Sequence, residues 1–366
     1  MKSLLSLSLS LSLLTISCTP AAGALSQLKQ ALSPAVDPLG MSVTYKRNFE
    51  RLPASGQVRE ANLPWSDSNW PSKFAGIANR WALNGEEQLT ESHFEYDLKT
   101  FEQLSRMDIS ALQKLSPAEK FDIYAGRYDY PTVKSELERN RPDADDSESL
   151  EHGWASAALN FGEPSAIQVA NEDGVEIEFT ASDIKALLSY YQGQLAYART
   201  VLLGEHCRVE FDRFSEKACK ETNAGAFHLV LANELGLKSQ GFVMDNKVEG
   251  ETHNYPVHGY SSVIKKDNLL PLPNATAGTV REVEVRTTVT YSNVTEPSQD
   301  ATNGSPLHSD KTVTYHYLIE LDARGLVIGG SWLDQEKPDF MWRQDRPVFE
   351  KEFSKLGKLY ESAMAK

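Results

Sequence analysis

Three things are scarce in this chain of 366 residues: cysteine, basic charge and long apolar runs. There are three cysteines, and 37 lysines and arginines stand against 51 acidic residues, for a net charge of −14. The pI is near 5.1. A chain this acidic lacks the positive surface needed to bind nucleic acid or anionic lipid headgroups. We therefore expect neither as a partner.

The longest apolar stretch lies at the N-terminus, where Lys2 precedes a Leu/Ser-rich run that reaches Ile16. The run is shorter than the about 20 residues of a membrane-spanning helix, and it has the pattern of a signal peptide. Thr15-Ile16-Ser17-Cys18 resembles a bacterial lipoprotein box, although leucine is usual at its first position. The resemblance implies lipidation of Cys18 and an exported, lipid-anchored protein. The alternative is an ordinary signal with Cys18 removed or left free.

The other two cysteines, Cys207 and Cys219, are twelve positions apart in a polar, charged segment. Export favours a disulfide between them, which would stabilise the fold by about 3 kcal/mol. A displaced catalytic thiol is an alternative. A zinc site is disfavoured because the paired spacing of zinc ligands is missing. No other cluster of suitable spacing is visible, so we expect neither a metal nor a cofactor.

Composition and periodicity divide the chain into five segments. The stretch before residue 61 is rich in Ala, Pro and Ser, and the stretch from 61 to 148 contains strong helix-start signals such as Ser116-Pro117 with Glu119. The segments are a signal peptide over 1–17, a lipid-anchored tether over 18–60, a helical N-terminal region over 61–148, a core over 149–345 and a C-terminal helix over 346–366.

The predicted core mixes helices with antiparallel strands, which makes the fold class α+β. One apolar face predicts a helix over His152–Phe161. The runs Ala226–Ala232 and Gly241–Asp245 are interpreted as strands, although periodicity leaves a helix open for the first. Alternation predicts further strands over Val283–Tyr291 and Thr312–Leu321.

Three core residues occur in an order that suggests catalysis. Glu151 lies at a predicted helix start, His228 follows on the predicted strand, and Asp245 comes 17 residues later. Papain-like and transglutaminase-like enzymes use a nucleophile on a helix, then a base and an orienting acid on strands. Taken alone the signal is weak, because a histidine between Phe227 and Leu229 is more often a core residue and an aspartate ending a strand is usually a turn former.

Six groups of motifs between Pro64 and Trp342 add to this order. They are Trp70-Pro71 with Gly76–Trp81, Leu115–Asp122, His152–Ala155 with Glu163-Pro164, Cys219–His228, Thr252–Tyr260, and Gly329–Trp332 with Lys337–Trp342. Through them the chain resembles the transglutaminase elicitor family, which is known from oomycete cell-wall proteins and also found in bacteria.

The resemblance implies a papain/transglutaminase-like core, with the nucleophile-position helix packed on antiparallel strands. It also implies an aminoacyltransferase that joins a protein glutamine to a lysine amine, with no cofactor. By resemblance His228 takes the position of the base and Asp245 that of the orienting acid, with Asn254 as the rival orienting residue. The expected partner is a protein or peptide. No sequence feature determines the number of subunits.

Two positions depart from the family pattern: Glu151 stands where the family has cysteine, and His253 where it has tryptophan. A carboxylate is a much weaker nucleophile toward amides than a thiolate. It is nevertheless stable at a helix N-terminus, where a negative charge gains about 0.3–1 kcal/mol, and it could pair with His228. We therefore expect a pseudoenzyme with lost or greatly reduced acyl transfer.

Three hypotheses follow. The first is an inactive surface homologue that binds a peptide or protein in the former cleft. The second is a hydrolase in which Glu151 and His228 act as an acid/base pair. The third is a structural envelope component. An open groove lined by Trp154 and Trp332 would favour binding, whereas their burial in a core, the commoner role of tryptophan, would favour a structural protein.

Overall fold

A computed structural model describes residues 45–81, 94, 97–145, 147–196, 198–203, 222–245, 253–297 and 308–365. Its α-helices are α1 Phe101–Leu104, α2 Ile109–Gln113, α3 Pro117–Tyr124, α4 Pro131–Arg139, α5 Glu151–Asn160, α6 Ala181–Tyr190, α7 Ala224–Val230 and α8 Ser354–Met364. Its strands are β1 Ser55–Gln57, β2 Ile167–Ala170, β3 Glu176–Phe179, β4 Thr200–Leu203, β5 Phe242–Asp245, β6 Tyr255–Leu269, β7 Arg281–Ser292, β8 Asp310–Leu321, β9 Val327–Trp332 and β10 Phe340–Gln344.

An eight-stranded antiparallel sheet forms the centre of the fold. Seven of its strands follow the order β4-β10-β5-β6-β7-β8-β9, and the eighth, β1, pairs with β6. The strands β2 and β3 form a separate antiparallel pair. Helix α5 packs against α6, β5 and β6, whereas α7 packs against β8 and β9. The predicted α+β class is confirmed.

Two apolar cores hold these layers together. The first joins the N-terminal helices to α5, α6 and α8, with Trp65, Phe121 and Trp154 among its fully buried side chains. The second lies between α7 and the sheet and contains Phe227 and Tyr315. Because the first core contains residues from both sides of the predicted boundaries at 148 and 345, those boundaries do not separate independently packed units.

Reciprocal capping pairs begin two helices, and the first of them confirms the helix start predicted at Ser116. The Ser116 hydroxyl accepts from the Glu119 N–H at 3.1 Å, and the Glu119 carboxylate accepts from the Ser116 N–H at 3.0 Å. Thr180 and Asp183 form the same reciprocal pair at the start of α6. Each pair satisfies backbone donors that a helix start leaves without an intrahelical partner.

The predicted strand over 226–232 is wrong. These residues belong to α7 and to the π-helical turn Leu231–Leu237 that continues it. The Asn223 side chain caps α7 by accepting from the Gly225 and Ala226 N–H groups. Every residue of α7 is buried, so the run shows neither the one-sided stripe of a surface helix nor the alternation of a strand. His228 therefore lies on a helix.

The predicted tether over 18–60 is too long. Residues 45–60 belong to the fold, because β1 pairs with β6 and the side chains of Phe49 and Val58 are buried in the second core. Residues 1–44, including Cys18, lie outside the described part of the chain. Within the described part, no helix combines the length and apolar character needed to cross a bilayer.

Candidate functional site

The start of α5 is held in place by the N-terminal region. The Leu150 N–H donates to the Asn69 carbonyl at 2.8 Å, and Ser149 forms an isolated antiparallel bridge with Pro71. Gly153 lets α5 approach α6 closely, because a Cβ atom at that position would lie 2.3 Å from the Ser189 carbonyl oxygen. These contacts determine where Glu151, the first residue of α5, meets the sheet.

Glu151 is buried against the segment that enters β6. The Asn254 N–H donates to its Oε2 at 2.8 Å, and Nδ1 of His253 lies 3.5 Å from its Oε1. Its own N–H donates to the Ser149 hydroxyl at 3.3 Å. The carboxylate therefore has a hydrogen-bond donor on one oxygen, an imidazole near the other, and the positive end of the α5 dipole beside it.

Two tyrosines pack on the His253 side of this pair. The His253 ring stacks on Tyr255 at a centroid distance of 6.0 Å, and Tyr255 contacts Tyr291 at 4.8 Å. Burial, followed by the charge of Glu151, raises the pKa of Tyr255, so its hydroxyl stays protonated. The His253 side chain keeps 19% of its surface exposed, against 9% for Glu151. His253 is thus the residue of the pair that is more accessible to solvent and to a ligand.

Asn254 acts on Glu151 through its backbone. Its side-chain Oδ1 accepts from Nε1 of Trp342 on β10 at 2.9 Å. That bond anchors the start of β6 against β10 and holds the Asn254 N–H toward Glu151. The residue predicted as a rival orienting group therefore orients the carboxylate itself.

Asp245 ends β5 as predicted and is fully buried. Its backbone carbonyl accepts from the Asp339 N–H at 3.1 Å, and the residue pairs with Phe340. Burial raises the pKa values of Tyr255 and Tyr315 most, and the charge of Asp245 adds a smaller contribution to both. Because the preceding residue, Met244, pairs with Tyr255, Asp245 lies on the Tyr255 side of the site.

His228 has a different environment. Its Nδ1 lies 2.9 Å from the Tyr317 hydroxyl, which in turn lies 2.7 Å from the Thr287 hydroxyl. Burial lowers the pKa of His228 to about 4, so the ring is neutral at physiological pH. The suggested pairing of Glu151 with His228 is not among the contacts of the described residues: the carboxylate contacts His253, and His228 contacts Tyr317. The reason is that α7 packs against β8 and β9, whereas α5 packs against β5 and β6.

The neighbouring histidine, His152, does not supply a base either. Its Nε2 lies 3.3 Å from the Gly193 carbonyl oxygen. Burial lowers its pKa to about 4, which keeps the ring neutral. His152 therefore fastens α5 to the turn after α6.

The two tryptophans that would distinguish an open groove from a packed core belong to different cores, in line with the commoner role of tryptophan. Trp154 has no exposed surface and lies in the first core. Trp332 packs against the second core and donates from Nε1 to the Thr222 carbonyl at 2.8 Å. Their role is packing, the outcome that favours the structural hypothesis, so the argument for a ligand site depends on Glu151, His253 and Tyr255 instead.

The residue that sequence reasoning missed is His253. It was treated only as a departure from a motif, and its neighbour Asn254 was the sole signal that this segment reaches the site. Cys207 and Cys219 lie outside the described residues, so the predicted disulfide remains a prediction.

Comparison with known proteins adds three findings. Residues 144–362 match the family model described as transglutaminase elicitor. No curated protein matches the chain at a significant level. The crystal structure of the GP42 transglutaminase from Phytophthora sojae is similar with a TM-score of 0.64 and 19% sequence identity, covering 88% of this chain and 94% of that chain. At this identity the likeness shows a common fold.

Proposed function

Because this chain belongs to the transglutaminase elicitor family, we propose that it is an exported transglutaminase-fold protein that has exchanged acyl transfer for binding. The carrying observation is the fixed position of Glu151. Its carboxylate lies at the start of α5, the position that the motif resemblance assigns to the nucleophile, and the Asn254 N–H donates to it at 2.8 Å.

Acyl transfer from glutamine requires a nucleophile that attacks the side-chain carboxamide, expels ammonia, and then passes the acyl group to an amine. A thiolate does this through a thioester. A carboxylate would have to form a mixed anhydride from an unactivated amide. One oxygen of Glu151 also accepts a charge-assisted hydrogen bond, which lowers its nucleophilicity further. Turnover by this route is therefore absent.

The site keeps features that suit a ligand. His253 is partly exposed beside the Glu151 carboxylate, and Tyr255 stacks behind it. An imidazole and a carboxylate offer both a hydrogen-bond donor and an acceptor to a polar side chain of a protein or peptide. We propose that such a ligand binds here in place of a substrate.

The test is incorporation of a fluorescent primary amine into a glutamine-bearing protein. We expect the wild-type chain to be inactive. The control is Glu361→Cys, which adds a thiol on the exposed face of α8 and should also be inactive. Glu151→Cys is expected to gain activity. Turnover by the wild-type chain would overturn the loss of acyl transfer. A folded but inactive Glu151→Cys, which keeps the His253 imidazole beside the new thiol, would overturn the assignment of residue 151 to the nucleophile position.

A second candidate function is hydrolysis by an acid/base pair. The 3.5 Å contact between Glu151 and His253 favours it, with His253 in the role that the sequence suggested for His228. A panel of ester and amide substrates tests it. Activity that His253→Ala abolishes and His228→Gln preserves would support this candidate, and inactivity of the wild-type chain on the whole panel would contradict it.

Export, lipidation and the disulfide remain proposals. The family match fits an exported protein. Incorporation of labelled palmitate into the wild-type chain but not into Cys18→Ser would support the lipid anchor, and equal labelling would contradict it. A Cys207–Cys219 peptide in a non-reduced digest would support the disulfide.

A further inference from the structure

Two histidines and an aspartate come together away from the Glu151 site. Nε2 of His258 and Nε2 of His308 each lie 2.9 Å from the same carboxylate oxygen of Asp310. The ligand atoms of the three residues all lie within 4.8 Å of one another. Among the described residues this is the one group of this kind.

The sheet builds this group from residues that are distant in sequence. His258 lies where the pairing of β6 with β7 shifts its register, between Val257 and Gly259. Such a bulge redirects a side chain, and bulges are common beside functional sites. Asp310 begins β8 and pairs with Ser292 on β7. The three residues thus connect β6 to β8 across the intervening strand.

The segment that carries His308 is itself anchored. The neighbouring Ser309 accepts at its carbonyl from the Asn293 N–H at 2.7 Å, and its N–H donates to the Ser66 hydroxyl at 3.1 Å. The side chains of His308 and Asp310 therefore flank a residue, Ser309, whose backbone N–H and carbonyl are both hydrogen-bonded. This preorganisation reduces the entropy lost when a ligand joins the three groups.

We propose that His258, His308 and Asp310 bind a first-row divalent transition-metal ion such as Zn²⁺. Imidazole and carboxylate are the donors that zinc accepts, at about 2.0–2.2 Å. Three ligands at that distance around a tetrahedral ion lie about 3.3 Å apart. The two 2.9 Å separations from Asp310 would have to open slightly, and the two histidine nitrogens already lie within 4.8 Å of each other.

The exposure of the three residues indicates the form of the site. The side chain of His258 is 6% exposed, whereas those of His308 and Asp310 are 39% and 41% exposed. The ion is therefore bound at the surface with one buried ligand, and water takes the fourth position. Two nitrogen donors disfavour Mg²⁺ and Ca²⁺, which prefer oxygen. Because the ion binds the folded chain, it also stabilises the fold.

The experiment uses the untagged full chain after treatment with a chelator. Calorimetry measures the binding of Zn²⁺, and visible absorption measures the binding of Co²⁺. We expect one equivalent of each to bind and Mg²⁺ not to bind. His308→Ala and Asp310→Asn are expected to weaken binding at least about 100-fold, more than the loss of an outer-shell partner. Both side chains are partly exposed, so we expect both variants to fold.

His316→Ala is the matched control. Its Nε2 also lies 2.9 Å from a carboxylate, that of Glu284, but it belongs to a different group. This variant should bind Zn²⁺ like the wild-type chain, and Zn²⁺ should raise the melting temperature of both but not of His308→Ala. Absence of stoichiometric Zn²⁺ binding would overturn the proposal, and so would equal affinity in the wild-type and His308→Ala chains. Neither outcome depends on the chemistry at Glu151.

Discussion

Glu151 and His253 are 102 positions apart in sequence, and their side chains meet with Oε1 and Nδ1 3.5 Å apart. On the alignment proposed from the motifs, these are the two positions that depart from the family pattern. The two departures are therefore neighbours in space. We interpret them as a joint replacement, in which the imidazole lies beside the acid introduced at the start of α5.

The hydrogen bond from Asn254 to Glu151 predicts how this position contributes to stability. Glu151→Gln keeps an oxygen that can accept from the Asn254 N–H, whereas Glu151→Ala leaves that buried donor without a partner. An unsatisfied buried donor costs about 1–3 kcal/mol. We expect the free energy of unfolding to fall by that amount in the alanine variant and by less in the glutamine variant.

Urea denaturation followed by tryptophan fluorescence measures the difference. Glu176→Ala on β3 is the control, because Glu176 is exposed and should change the free energy of unfolding little. Equal stability of Glu151→Ala and Glu151→Gln would show that the Asn254 bond does not hold the carboxylate.

The neutral ring of His228 predicts a dependence of stability on pH. Burial lowers the pKa of His228 in the folded chain to about 4, from the ordinary histidine value of 6.5. Between these values the unfolded chain binds the proton more readily, so the contribution of His228 is complete above pH 6.5 and is lost as pH falls toward 4. The slope approaches 1.4 kcal/mol per pH unit in this window.

His228→Gln removes the titrating group and keeps polar atoms for the Tyr317 hydroxyl. We expect the free energy of unfolding of this variant to fall less than that of the wild-type chain between pH 6.5 and 5. Unfolding by urea at both pH values measures it, with His316→Gln as the control for a less buried histidine. Identical pH profiles of the wild-type and His228→Gln chains would contradict the assignment of His228 to the core.

A buried ion pair connects α3 to α6. Nζ of Lys120 lies 2.7 Å from Oδ2 of Asp183, and neither side chain has exposed surface. The second carboxylate oxygen of Asp183 accepts from Nε1 of Trp81 at 2.7 Å. Removing one partner of such a pair leaves an uncompensated charge and costs about 3–5 kcal/mol.

Lys120→Met is therefore expected to lower the free energy of unfolding by that amount, with a lower melting temperature. Lys134→Met, at an exposed position of α4, is the control and should have little effect. Calorimetric melting compares the two variants, and equal melting temperatures would refute the structural role of the pair.

Local signals made part of this fold predictable. The capping pairs at Ser116 and Thr180 each lie within four consecutive residues, and the alternation of β7 and β8 is visible along a single strand. The run around His228 was misjudged because every side chain of α7 is buried, which removes the periodicity that distinguishes a helix from a strand. The Glu151–His228 pair was suggested by the order of the residues and by the family resemblance, and neither indicates that α5 and α7 pack on different strands of the sheet.

The sequence by itself determined the α+β class, the helix starts, the position of Glu151 at the head of α5 and the family resemblance, because these follow from short-range patterns. Only the tertiary structure decided which histidine faces Glu151 and which side chains meet across the sheet. Strand order and helix packing bring together residues 50 to 100 positions apart, such as His258 and Asp310, whose separation is 52. Periodicity along the chain carries no information about such pairs.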